Sequence, residues 1–281
     1  MDNRPIGVFD SGLGGLTAVR EIHRILPGED IIYFGDTGRV PYGSRSRDTL
    51  RLFAGQITAY LRCQNVKAII VACGSISTNL ADECLAPDMP HVTVLDPTVH
   101  EALRKTKNGR VGVIATQATI RTSMFEKRLQ DANSKILTYG QACPLLVPVI
   151  EHGLTDFDNQ ITRLTLEMYL RPVIDFGADT IILGCTHYSL LAHIISDMLG
   201  DKISLIDAGA CAAVEFKSIL ESEKLLADRE VGQTTYFATD STISFAETAK
   251  LFLERDISAQ VRYINIETIE NIPNTPEDKN R

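Results

Sequence analysis

The chain is 281 residues long, 44% hydrophobic, and carries a formal charge of −8. That length allows one large domain or two ordinary ones with a buried core, and the acidic balance offers no basic face to a nucleic-acid backbone, so no nucleic-acid partner is expected. No apolar run reaches the roughly eighteen residues of a membrane span, and the opening MDNRPIGVFD lacks the basic-then-apolar pattern of a secretory signal, so a cytoplasmic protein without membrane association is expected.

Short β-rich runs alternate with helical patterns along the chain. IGVFD comes first, followed by a helix in which Leu16, Val19, Ile22, Ile25 and Leu26 keep helical spacing until Pro27 and Gly28 stop it. IIYFGD follows, then a helix marked by Leu50, Phe53, Ile57 and Leu61, then KAIIVAC and VTVLD. VGVIAT, KILTYG, DTIILG, ISLID, TTYFATD and QVRYINIE complete the strand candidates. Such alternation predicts an α/β fold with mainly parallel sheets flanked by helices.

A weak internal repeat is visible within this series. Ile6 falls on Val111 and Ile31 on Ile136, both at an offset of 105, while Cys73 falls on Cys185 at 112 and Asp96 on Asp207 at 111. Matching elements in the same order point to duplication and to two similar α/β domains. The expected division is 1–97 with 208–266 as the first domain and 98–207 as the second, leaving 267–281 as a polar, mobile tail. Ligands of such sheets bind beyond the carboxyl ends of the strands, so the site is expected in the cleft between the domains.

Four loops at those strand ends are rich in hydrogen-bonding groups. FDSGLGG follows a strand and precedes a helix, as an anion-binding turn does. A dinucleotide fingerprint would need a third glycine where Thr17 stands, so a nucleotide site is disfavoured, and Asp10 and Ser11 supply more polarity than a bare turn requires. The stretch beginning at Pro41 presents the Tyr42 hydroxyl, the Gly43 amide and a serine at the same edge. The other two loops each carry one thiol, in AIIVACGSISTN and TIILGCTHYSLL. Together they suit a small, polar, charged molecule.

The six cysteines contain no CxxC pair, so neither a metal site nor a redox motif is suggested, and free thiols are expected. Cys63, Cys84, Cys143 and Cys211 are read as small buried hydrophobes. Cys73 and Cys185 each end a strand at a helix start, where the dipole is expected to lower a thiol pKa. His187 is a candidate proton partner for Cys185, and Asp10 for Cys73. Two opposed thiols around a polar cleft suit inversion of a stereocentre, with a base on one face and an acid on the other. No nicotinamide or pyridoxal site is written clearly, so a reaction without a cofactor is expected.

These residues resemble the cofactor-independent aspartate/glutamate racemase family, and within it the glutamate racemases. FDSGLGGLTAVREI, GDTGRVPYG, ACPLLVP and GCTHY carry the resemblance, which extends to about residue 255. It implies Cys73 and Cys185 as paired acid/base residues, assisted by Asp10 and His187 and more weakly by Glu151. It also implies substrate contacts from Asp10, Ser11, Pro41, Tyr42, Gly43, Gly74, Ser75, Thr186 and His187. The implied activity is interconversion of L- and D-glutamate for peptidoglycan, in a homodimer.

One segment departs from the family's pattern. Where CNTAS is usual the chain reads Cys73, Gly74, Ser75, Ile76, Ser77, and Ser189 stands where proline is usual. Losing an amide hydrogen bond to a charged group costs on the order of 1.5–3 kcal/mol. Three alternatives therefore stay open: a relative acting on aspartate or another small carboxylic acid, a catalytically weakened binding or regulatory protein, and, more distantly, a nicotinamide-dependent oxidoreductase.

Overall fold

A computed structural model of the chain describes residues 1–266; the tail anticipated over 267–281 lies outside them. The strands are β1 (Ile6–Asp10), β2 (Ile31–Gly35), β3 (Ala68–Val71), β4 (His91–Thr93), β5 (Arg110–Ala115), β6 (Leu137–Ala142), β7 (Thr180–Leu183), β8 (Ser204–Asp207), β9 (Thr234–Ala238) and β10 (Val261–Tyr263). Each overlaps one of the strand candidates named above. The helices are α1 (Leu16–Ile25), α2 (Arg47–Cys63), α3 (Gly74–Asn79), α4 (Leu95–Lys105), α5 (Gln117–Thr122) and α6 (Met124–Ala132), then α7 (Leu146–Glu151), α8 (Gln160–Asp175), α9 (Ala192–Leu199), α10 (Ala208–Ser222) and α11 (Thr242–Leu253). Among the described residues no helix is long and apolar enough to cross a membrane.

Two parallel sheets result, ordered β10-β9-β2-β1-β3-β4 and β6-β5-β7-β8. The run β2-β1-β3-β4 has the same order as β6-β5-β7-β8, the arrangement a duplicated unit produces, and β9 and β10 extend the first sheet beyond β2. In register, Ile6 pairs with Ile31 and Ala68, and Val111 with Thr138 and Thr180. Central strands such as β1, β3 and β7 are buried throughout, which is why they read as continuous apolar runs rather than alternating ones.

Successive side chains supply opposite faces. Val8 joins an apolar cluster that runs from the first sheet through α1 and α10 to Ile181 and Leu183 of the second, whereas Phe9 packs under α2 with Phe34, Leu50 and Ile57. α1 ends at Ile25, just before Pro27 and Gly28 as the spacing predicts, and α2 is capped by the Ser46 hydroxyl, which accepts the amide of Thr49. VTVLD departs from expectation. β4 stops at Thr93, and Asp96 stands in the first turn of α4, so it does not match the strand-ending Asp207. Pro97 is compatible with that first turn because an amide there needs no helical partner.

Candidate active site

The carboxyl ends of β1, β2, β3, β5 and β7 open onto one cleft of about 360 Å³. Every candidate site residue named from the sequence lines it, including Cys73 from the first sheet and Cys185 from the second. The first turn, Asp10 to Gly15, is shaped by close packing. A Cβ placed on Gly14 would stand 2.4 Å from both the Thr186 hydroxyl and His187 Nδ1, so the glycine admits the loop of the opposite sheet.

Cys73 lies two residues beyond β3, at the N-cap of α3, and is buried. The amides of Ser11 and Ile76 and the Ser11 hydroxyl are directed at its sulfur. Burial first, and then the nearby Asp10 carboxylate, push the thiol up to about 12. The expectation of a lowered pKa fails here because α3 spans only six residues, less than two turns, too short a dipole to offset desolvation beside an anion. Asp10 is itself buried, which raises its pKa, while His187 and the amides of Gly12, Gly15 and Ser11 work in the other direction. Its Oδ2 accepts the Gly12 amide at 2.9 Å.

Cys185 has a different partner set. Its sulfur lies 3.8 Å from Nδ1 of His187, whose Nε2 is 3.0 Å from Oε1 of Glu151 at the end of α7. The imidazole packs edge-on against Phe252. Burial pulls it toward neutrality, yet hydrogen bonds to Cys185 and Glu151, with the charges of Cys185 and Asp10, raise it to about 10. One thiol is therefore held protonated beside an acid, and the other faces an imidazolium. Groups whose surroundings differ in this way are suited to opposite proton-transfer roles.

The loop after β2 brings Pro41, Tyr42 and Gly43 to the cleft through a cis Val40–Pro41 peptide. Tyr42 lines the cleft with its ring, but its hydroxyl donates to the buried Asp36 carboxylate. That carboxylate also accepts from Arg39 Nε at 2.6 Å and from the Thr239 hydroxyl at 2.8 Å. Asp36, just after β2, thus anchors the loop. Burial and Asp36 raise the Tyr42 pKa, so it stays a phenol.

The cleft also contains residues that are not among the candidate site residues named above. Thr116 caps α5 after β5 with its hydroxyl toward the Thr119 amide, and both threonines line the cleft with Cys143, Pro144 and Val147. The strand-end rule applied to VGVIAT would have found Thr116. All six cysteines are free thiols. Cys143 is buried, as expected, and Cys211 is half-buried, but Cys63 and Cys84 are exposed, because they stand at the end of α2 and in the irregular segment after α3. The buried Ser189 hydroxyl has no hydrogen-bond partner among the described residues, and nothing in the structure explains that serine. Among the described residues no group of three or more His, Cys, Asp or Glu is disposed to hold a metal.

Residues 6–216 match the model of the Asp/Glu/hydantoin racemase family. The chain belongs to the aspartate/glutamate racemase family. This membership makes it an isomerase, and its similarity to family members spans nearly its full length. The chain is 40% identical to a glutamate racemase of Geobacter metallireducens, over 89% of this chain and 93% of that one. A crystal structure of glutamate racemase from Francisella tularensis in complex with D-glutamate superposes with a TM-score of 0.87 at 37% identity, covering 95% of this chain and 100% of that one. The structure of a Bacillus anthracis glutamate racemase isoform gives 0.89 at 35% identity, covering 94% and 98%.

Proposed function

We propose that the chain interconverts L- and D-glutamate without a cofactor, using Cys73 and Cys185 as a two-base pair. The observation that carries this reading is that the two thiols line a single cleft from separate sheets, Cys185 facing the His187 imidazole and Cys73 lying near the Asp10 carboxylate. With the substrate α-carbon between the sulfurs, one sulfur removes the α-proton as a thiolate and becomes a thiol. The other delivers its proton to the opposite face and becomes a thiolate. Charge is conserved, and the pair finishes in the mirror state from which the reverse reaction starts.

Asp10 and His187 steady the two protonation states, and Glu151 holds His187. The backbone amides of Gly43, Ser75 and Thr186 and the hydroxyls of Ser75 and Thr186 line the cleft where they can bind the carboxylates and stabilise charge that develops as the α-proton leaves. In the same reading the enzyme is a cytoplasmic homodimer supplying D-glutamate for peptidoglycan, a role supported by the family resemblance.

The test is optical. L-glutamate incubated with the protein should lose its circular dichroism to zero, and in D2O both enantiomers should acquire an α-deuteron. No loss of signal at high enzyme concentration, with aspartate racemised instead, would move the assignment to another small acid.

A further inference from the structure

Gly74 follows one thiol and Gly184 precedes the other, and a β-carbon on Gly74 has no room beside the Gly184 carbonyl. A Cβ at position 74 would stand 2.6 Å from the Gly184 carbonyl oxygen, with Thr119 Oγ1 at 3.7 Å. Backbone torsion does not demand glycine here, since Gly74 is not among the positive-φ residues and opens α3. The requirement is spatial. Nor can Gly184 retreat, because its amide donates to Ile114 at 2.8 Å and its own α-carbon faces Ala115 and Phe125, where an added Cβ would meet atoms at 3.1 and 3.2 Å.

We propose that Gly74 sets the separation of the two thiol-bearing loops: lacking a side chain, it lets the Cys73 turn rest directly on the Gly184 carbonyl. The inference rests on the two-thiol reading above. Any side chain at 74 must push the loops apart by about 0.8 Å to restore ordinary contact at 3.4 Å. Proton transfer from two opposed sulfurs depends on both being within reach of one carbon, and a misplacement near 1 Å costs on the order of 10²-fold. The Cys-Gly sequence of this chain is then a distance-setting feature, and an asparagine amide installed there would arrive together with an obstructing β-carbon.

The test compares the parent with Gly74→Ala and Gly74→Asn by two independent readouts. One is kcat/KM for L-glutamate. The other is the rate at which iodoacetamide alkylates Cys73 and Cys185, read by peptide mass spectrometry at one pH. The expected result is a fall in kcat/KM of roughly 10- to 100-fold in both variants, the alanine already carrying most of it, together with severalfold faster alkylation of both thiols. A variant that equals the parent in either readout, or an asparagine variant that gains turnover, overturns the proposal. If the parent fails to racemise glutamate, the functional reading fails, and the alkylation rates still decide this one. Should the variants lose their thermal unfolding transition, a crystal structure of the parent decides. Gly74 in van der Waals contact with the Gly184 carbonyl supports the proposal, and a water-filled gap between them overturns it.

Discussion

Glu151 and His187, 36 residues apart in the chain, share a hydrogen bond of 3.0 Å between Oε1 and Nε2. The bond fixes which imidazole nitrogen faces Cys185. It also ties α7 to the loop after β7, so a residue outside the thiol loops affects the proton inventory of one of them.

Removing that carboxylate charge should weaken the imidazolium. Glu151 is 40% exposed, so screening limits the effect. Glu151→Gln is expected to lower kcat/KM by at most about tenfold and to move the alkaline limb of its pH profile to lower pH. A profile that superposes on the parent's would remove Glu151 from the proton network.

The raised pKa of His187 also has a consequence for stability. An ordinary histidine releases its proton near 6.5, whereas His187 holds it to about 10. Its contribution to stability is therefore complete below about pH 6.5 and disappears as the pH rises to about 10. The difference in melting temperature between the parent and His187→Asn should shrink across that window. A difference that does not vary with pH contradicts the assignment.

Replacing either thiol by a hydroxyl removes the acid/base group from one face of the substrate. Cys73→Ser and Cys185→Ser should each lower racemisation by on the order of 10²–10⁴-fold, the usual contribution of a positioned acid or base. Circular dichroism follows the loss directly. Parent-like rates in both variants would contradict a two-base mechanism.

Thiol reactivity should sort by surroundings. Cys63 and Cys84 are exposed, while Cys73 is buried with its pKa near 12. At pH 8 iodoacetamide should modify the exposed pair first and leave Cys73 nearly untouched. Peptide mapping that finds Cys73 among the earliest sites would mean that solvent reaches its sulfur and that its pKa is not raised.

Far from the cleft, Lys67 and Glu29 form a buried ion pair at 2.5 Å. Lys67 Nζ also donates to the Asp2 carbonyl, and Glu29 Oε1 accepts the amide of Ala227. Lys67→Ala leaves a carboxylate uncompensated in the interior, so it should cost about 3–5 kcal/mol in urea unfolding. A loss below about 1 kcal/mol would mean that water reaches the pair.

The strands were legible because a parallel sheet buries both faces, so runs such as AIIV and TIIL stand out without alternation. The thiols and the Asp10 turn were legible because chemistry in such sheets gathers at carboxyl edges. What the sequence hid depends on contacts between distant segments. The use of the Tyr42 hydroxyl by Asp36 depends on how the loop folds back, and the rise in the Cys73 pKa depends on burial that no local motif states. The glycines at 14 and 74 read as turn formers, whereas their role is set by what approaches from the opposite sheet.

The unequal partners of the two sulfurs, an acid at one and an imidazolium at the other, act on a reaction whose reactant and product are mirror images. In water those two molecules have identical free energy, so the equilibrium constant is one and kcat/KM must be the same in both directions. Whatever preference the lopsided cleft imposes can therefore appear only as a trade between turnover and saturation. The enantiomer that saturates the enzyme at lower concentration must also be the one converted more slowly.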